Sequence, residues 1–289
     1  MENQINLNNL NVVITGASQG FGFEIAKKFS ELGANILITS RSIDKLKIAK
    51  KEILKNSKGL VEILKADISI KIDNFKTAEY AISKFGRIDV LVANAGVYGP
   101  KGKIEKINWE NWSKAIDINL KGTVLSCISV LPEMKKNNYG KIIILSGGGA
   151  TKPMPNLSAY AASKAAVVRF AETLSKETKD NNIDVNTVAP GALNTRLLDE
   201  IIESGPENVG EKFHKQALLQ QKSGGTPFFH GVNLCIYLAN KISDGITGKL
   251  ISSIWDPWKN FENYKNKLKN SDIYTLRRII PEERNEKFD

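Results

Sequence analysis

Only two cysteines, Cys127 and Cys235, and two histidines, His214 and His230, occur in 289 residues. That is too few for a disulfide framework or a histidine-based zinc site, so no metal is expected. The cysteines sit in apolar patterns and are expected to be buried free thiols. No run of 18 apolar residues is present, which leaves no expected membrane span. The opening MENQINLNNL lacks the basic flank and apolar core of a secretory signal. Neither an internal repeat nor a Pro/Ser-rich linker divides the chain. The expectation is one large cytoplasmic domain, a size that α/β folds commonly reach undivided.

A basic excess is present, a net charge of +10. Its densest stretch, RSIDKLKIAKKEILKNSK (41–58), has helical spacing, and a charge run on a helix usually forms a solvated face. No aromatic-interleaved groove or nucleic-acid motif accompanies it. Neither nucleic acid nor membrane is expected as a partner.

Apolar runs of strand length recur at 10–15, 35–40, 60–66, 88–93, 141–146, 183–189 and 249–253. They are nearly continuous in Val, Ile and Leu, as in strands covered on both faces of a parallel sheet. Helical patterns fill the gaps at 21–32, 43–56, 71–85, 109–136, 158–179 and 227–240. This alternation predicts a single doubly wound α/β domain of Rossmann type, a mainly parallel seven-stranded sheet flanked by helices. Such sheets bind ligands beyond the carboxyl ends of their strands. Residues 191–226 carry no clear strand. The boundary is placed at 254, with 255–289 an extension packing on the cleft or on a neighbouring subunit. Within it Trp255, Trp258, Phe261 and Tyr264 recur every third residue around and beyond Pro257, which predicts a buried aromatic face on a helix-like segment.

The chemistry-bearing residues stand where those strands end. After the first comes Thr15-Gly16-Ala17-Ser18-Gln19-Gly20-Phe21-Gly22. Its glycines permit a tight turn and close approach of backbone N–H groups and a helix N-terminus to a pyrophosphate. After the fifth, Tyr160 and Lys164 lie four apart at the start of an Ala-rich helix, hence on one face. The spacing alone is weak, because about 0.8 such pairs arise by chance in this composition. Tyr80 with Lys84 and Tyr237 with Lys241 are the decoys, set in ordinary amphipathic patterns. A tyrosine so placed can pass a proton to a carbonyl oxygen while the bound dinucleotide supplies hydride.

At Thr15-Gly16-x-x-x-Gly20-x-Gly22, Asp67, Asn94-Ala95-Gly96, Asn119, Tyr160-x-x-x-Lys164, and Pro190-Gly191 with Thr195, the chain resembles the short-chain dehydrogenase/reductase family. The resemblance runs from about residue 10 to 253. It implies that the glycine loop, with Ser18, Gln19 and Phe21, holds the pyrophosphate. It implies that Asp67 and Ile68 hold the adenine, and that Asn94, Ala95 and Gly96 line the adenosine side. Tyr160 would be the general acid/base. Lys164 would favour the phenolate and bond the nicotinamide ribose, Asn119 would hold a water that resupplies protons, and Pro190, Gly191 and Thr195 would seat the carboxamide. At the end of the second strand Ser40 and Arg41 replace the acidic residue that binds ribose hydroxyls, which favours NADP(H) over NAD.

Two positions depart from that pattern. The family's catalytic serine falls at Gly147, so Ser146, Thr151 or a water would have to polarise the substrate. The tail is also longer than the family's. Lys101, Lys103, Lys152 and Arg196 lie in loops bordering the cleft; they read by default as surface cations, with recognition of an anionic substrate the alternative. The combined expectation is an NADP(H)-dependent oxidoreductase interconverting a small-molecule carbonyl and a secondary alcohol, as a homodimer or homotetramer. The alternative is a non-catalytic dinucleotide-binding sensor or scaffold.

Overall fold

In the computed structural model, which describes residues 6–288, the central strands send alternate residues to two cores. The strands are β1 (Asn11–Thr15), β2 (Asn35–Ser40), β3 (Val61–Lys65), β4 (Val90–Ala93), β5 (Gly140–Leu145), β6 (Ile183–Ala189) and β7 (Leu250–Ser252). They form a seven-stranded sheet in the order β3-β2-β1-β4-β5-β6-β7, and every neighbouring pair is parallel. Val12, Ile14, Val90 and Val92 face one core, while Val13, Leu91, Ile142 and Ile144 face the other. This period of two explains why the strands are apolar on both faces.

The first core is completed by α1 (Gly20–Glu31), α2 (Ile43–Ile53) and α10 (Phe228–Ala239). The second is completed by α3 (Lys71–Phe85), α5 (Gly122–Lys136) and α6 (Ser158–Glu177). Both cysteines are buried and free. The chain winds outward through β2 and β3, then crosses back to β4 beside β1. The cleft at the carboxyl ends of β1 and β4 is therefore the topological switch point.

The sequence pattern at 109–136 reads as one helix. The structure divides it into α4 (Trp109–Ile116), a π-helical turn (Asp117–Lys121) and α5. A π turn adds a residue to the winding and so rotates the face that the next helical turns present. Here it turns Asn119 inward, where it is 1% exposed. By length and composition the whole run could cross a bilayer, yet Cys127, Val130 and Met134 on α5 pack in the second core.

Residues 191–226, without a strand pattern, fold as α7 (Arg196–Glu203), α8 (Gly205–Val209) and α9 (Glu211–Ser223). Their apolar residues make a third, smaller cluster, in which Leu198, Ile201, Val209 and Ala217 enclose Leu157 and touch Tyr160.

The aromatic face of the tail needs correction. Trp258 and Phe261 are buried in the first core, but Trp255 is 86% exposed and Tyr264 is 56% exposed. The 3-10 helix Trp258–Tyr264 begins only after Pro257, so Trp255 lies outside it. Tyr264 leaves helical geometry at φ −121°, ψ 13°, where the chain turns into α11 (Lys265–Lys269). Leu268 of α11 joins Trp258 and Phe261 in the core. The segment beyond 254 thus shares the hydrophobic core of the domain that precedes it.

Each of those three side chains contributes about 1.5–3 kcal/mol on burial, against a total stability of about 5–15 kcal/mol. A chain ending at residue 254 should lose cooperative unfolding, whereas one ending at 278 should keep its stability to within about 1 kcal/mol. Urea denaturation followed by circular dichroism measures both; equal stability of the two truncations would contradict this packing.

Candidate active site

Gly16 and Gly20 adopt φ +66° and +63°, a region costly for residues with a Cβ. A Cβ on Gly16 would stand 2.8 Å from Ala95 Cα, and one on Gly22 would strike the Asn94 amide. That amide is fixed: Asn94 Nδ2 donates to Thr15 O at 2.9 Å and to Gly16 O at 3.1 Å. Thr15 Oγ1 in turn accepts from the Asn94 and Ala95 N–H groups. The glycine loop is therefore clamped to the end of β4.

The first turn of α1 has no side-chain cap. Gln19 at the N-cap instead accepts a hydrogen bond from Lys45 Nζ at 3.1 Å. The leading N–H groups of α1 open on a cleft of about 950 Å³ and fit a pyrophosphate. Gly20, Phe21, Ser18 and Gln19 line this cleft.

At its far end stand Ser40, Arg41, Ser42 and Lys45. Lys45, from the first turn of α2, is a second cation beside Arg41, and in the sequence it is one lysine among many in a charge run. The signal that places it is the Ser42 N-cap, whose Oγ accepts from Lys45 N–H. Asp67 and Ile68 line the same end. Burial alone raises the Asp67 carboxyl, but hydrogen bonds from Ser69 side chain and backbone, with Arg41 and Lys114 beyond, outweigh it and hold the pKa below its usual value.

On α6, Tyr160 and Lys164 share a face, with the ammonium 5.7 Å from the ring centroid. Lys164 Nζ donates to Leu145 O at 2.7 Å. A Cβ on Gly96 would lie 3.5 Å from that nitrogen, so the loop after β4 packs directly beside Lys164, which lines the inner part of the cleft. Burial pulls the Lys164 pKa down to about 8. Burial also drives the Tyr160 phenol well above its ordinary value, with a smaller push from Tyr98, whose ring centre is 4.6 Å away.

Both side-chain N–H donors of Asn119 are engaged. Its Oδ1 accepts from Val97 N–H and its Nδ2 donates to Val97 O, both at 2.8 Å, and Nδ2 also donates to Ser163 Oγ at 2.9 Å. The side chain braces the β4 loop against α6. Pro190 O accepts from Ser253 Oγ, Gly191 is at φ +95°, and Thr195 caps α7 by accepting from Leu197 N–H at 3.3 Å. All three line a second, continuous part of the cleft of about 810 Å³, with Tyr160 and Lys164.

The decoys lie elsewhere. Tyr80 donates to Glu62 on β3, and Tyr237 is buried against Trp258.

A family profile described as short chain dehydrogenase matches residues 10–205. The chain belongs to the short-chain dehydrogenase family. An uncharacterised oxidoreductase of Listeria monocytogenes is 33% identical over 207 residues, 71% of this chain and 83% of its own length. The 3-oxoacyl-(acyl-carrier-protein) reductase of Chlamydia muridarum is 32% identical over 246 residues, 83% of this chain and 94% of its own. Among solved structures, levodione reductase matches with a TM-score of 0.78 at 24% identity, over 85% of this chain and 96% of that one, a likeness of fold. The protein is an NAD(P)-dependent short-chain dehydrogenase/reductase.

Against that family the position of Gly147 stands out. A Cβ there would lie 2.6 Å from Tyr160 Oη, so the phenol occupies the space a serine side chain would need. The phenol hydroxyl has no hydrogen-bond partner among the described residues. Ser146 lines the same cleft, but its hydroxyl donates to Lys164 O at 3.4 Å, a long bond that it must give up to face substrate.

Among the basic residues bordering the cleft, Lys101 and Arg196 share a single carboxylate, Glu200, at 3.1 and 2.9 Å, so the three groups together keep one net positive charge.

Restoring the family's residue with Gly147→Ser should lower turnover of this dehydrogenase/reductase, because its Cβ displaces Tyr160. Ser146→Ala should cost about 10²-fold if its hydroxyl polarises the substrate. Steady-state kinetics on both variants decide, and a gain in Gly147→Ser would refute the steric reading.

Proposed function

We propose that this enzyme interconverts a carbonyl and a secondary alcohol with NADP(H), Tyr160 acting as general acid in reduction and general base in oxidation. The observation that carries the proposal is Tyr160. It lines the inner cleft, its hydroxyl without a protein partner among the described residues, on the helix face it shares with Lys164. The dinucleotide, when bound, supplies or takes the hydride.

The residues perform the rest. The α1 N-terminus and the glycine loop bind the pyrophosphate, and Asp67 with Ile68 borders the adenine. Lys164 holds the ribose and, while protonated, favours the phenolate of Tyr160. Asn119 fixes the loop carrying Gly96 beside Lys164. Ser146, which lines the same cleft, is the side-chain hydroxyl proposed to join Tyr160 at the substrate oxygen. Pro190, Gly191 and Thr195 close the nicotinamide end.

Arg41 and Lys45 support the choice of NADP(H). Two cations and no carboxylate of Asp or Glu at the end of β2 suit a 2′-phosphate, which Arg can bind bidentately. The enzyme is proposed to assemble as a homodimer or homotetramer.

A second reading, a non-catalytic dinucleotide-binding protein, draws on Gly147. It is tested by the same kinetics: absence of any carbonyl-dependent NADPH oxidation, with NADPH still bound, would favour it.

Calorimetry should show NADPH bound more tightly than NADH by about 1–3 kcal/mol. Arg41→Asp combined with Lys45→Asp should invert the order, and equal affinities in the natural sequence would exclude the assignment.

Tyr160→Phe should lower turnover by ~10² or more while NADPH binding persists. The pH dependence follows from the two shifts. A raised Tyr160 pKa keeps the acid loaded for reduction at neutral pH. Lys164 carries its charge below about 8 and loses it above, so reduction should fall as pH rises through that value. Oxidation, which needs the base form of Tyr160, should rise with pH over the neutral range. Parallel slopes in the two directions would rule out this pairing.

A further inference from the structure

Part of the inner cleft is built by the tail. Asp256 and Tyr274 line it together with Trp255 and Thr275, in the same cleft as Tyr160 and Gly147. Much of the remaining lining is apolar: Tyr98, Met154, Leu198, Ile201 and Phe213. The tail therefore adds a carboxylate and a phenol to a cleft with much apolar lining that also holds Tyr160 and Lys164.

The wall is firmly held. Lys249, 4% exposed, donates from Nζ to Ser271 O and Ile273 O, each at 2.9 Å. Leu250 N–H, at the start of β7, donates to Tyr274 O at 2.8 Å. Glu172 Oε1 accepts from Leu276 N–H at 2.6 Å, and Arg169 donates to Leu276 O. Tyr274 itself sits at φ +60°, an uncommon conformation for a residue with a side chain. Its ring rests against Phe261, 5.3 Å between centres.

Asp256 Oδ2 accepts from Ser252 N–H at 2.7 Å, and its other oxygen has no protein partner among the described residues. Burial raises the Asp256 carboxyl. Burial, then the nearby Asp256 charge, raises the Tyr274 phenol. The two groups thus feel one another in the same cleft. A carboxylate only accepts hydrogen bonds, so a ligand group bound there must donate, and a ligand anion is repelled.

We propose that Asp256 and Tyr274 form the distal recognition pair of the substrate cleft, selecting substrates that carry a hydrogen-bond donor, a hydroxyl or an ammonium, beyond an apolar spacer from the reacting carbonyl. Lys249 is the positioning residue that fixes this wall without entering the cleft. The inference rests on the carbonyl-reductase reading above.

The experiment uses the full chain with NADPH and four probes: 2-octanone and its ω-hydroxy, ω-amino and ω-carboxylate derivatives. The natural sequence should show KM lower by on the order of 10-fold or more for the hydroxy or amino probe than for 2-octanone, and highest for the carboxylate. The hydroxy and amino arms distinguish a neutral donor from a cation. Asp256→Asn should erase the discrimination between amino and carboxylate probes. Tyr274→Phe should narrow the hydroxy preference. Lys249→Met should raise KM for the preferred probe more than it changes kcat, with NADPH titration confirming that each variant is folded. Equal KM across the probes, or preference for the carboxylate, would overturn the recognition pair while leaving the reductase reading intact. No turnover with any probe despite NADPH binding would overturn both.

Discussion

Asn94 holds the structure's function together at one point. It stands where the chain, having travelled outward through β2 and β3, returns to lie beside β1. There its amide bonds the carbonyls of Thr15 and Gly16. A clamp across the switch point fixes the turn that bares the α1 N-terminus and leaves Gly22 no room for a side chain. Buried amide–carbonyl bonds of this kind each contribute about 0.5–1.5 kcal/mol net, but an orphaned partner costs more. The glycine loop is therefore held as firmly as the pairing of the two central strands. Val97 and Asn119 extend the same brace from β4 to α6, and α6 carries Tyr160 and Lys164. The glycine loop and the Tyr160–Lys164 pair are thereby registered through one bonded path.

Much of this was legible in the residues. The seven apolar runs became the seven strands, because buried parallel strands need no polar face. The glycine loop and the Tyr160–Lys164 pair fell at strand ends, as the switch-point argument requires. What escaped was set by tertiary context. The π turn at 117–121 has no composition signal, since its cause is the inward demand on Asn119 rather than local propensity. Lys45 was hidden within a charge run that reads as solvated surface; only the fold carries its first-turn position to Gln19. The pairing of Lys101 and Arg196 with Glu200 is likewise invisible in one dimension, because α7 and the β4 loop meet only in space. Trp255 and Tyr264 shared a period with Trp258 and Phe261, yet a period describes a helix only as far as the helix extends.

Gly147 shows how a missing side chain is absorbed. Close packing leaves few voids, and here the phenol of Tyr160 moves into the volume a serine would claim, 2.6 Å from the position of its Cβ. The consequence is chemical as well as steric. A phenol without a serine neighbour lacks one hydrogen-bond donor toward its oxygen, and burial then dominates its ionisation. That places more of the burden of forming the phenolate on Lys164, whose own burial opposes its charge. The two side chains pull against each other across one helical turn, since burial opposes the charged form of each.

The tail acts on the same problem from the other side. By packing Trp258, Phe261 and Leu268 into the core, it brings the following segment back along the outer edge of β7, where an unpaired strand would otherwise invite association. Leu250 bonds Tyr274 O there, and Lys249 secures the carbonyls of Ser271 and Ile273. The edge is covered and the cleft is walled by a single stretch of chain. Asp256 and Tyr274 of the tail line the same cleft as Tyr160 and Lys164, and away from bulk water a charge counts for more. The length of this chain beyond β7 is thus coupled to its chemistry: the segment that completes the core also sets the shape and polarity in which Tyr160 and Lys164 must work.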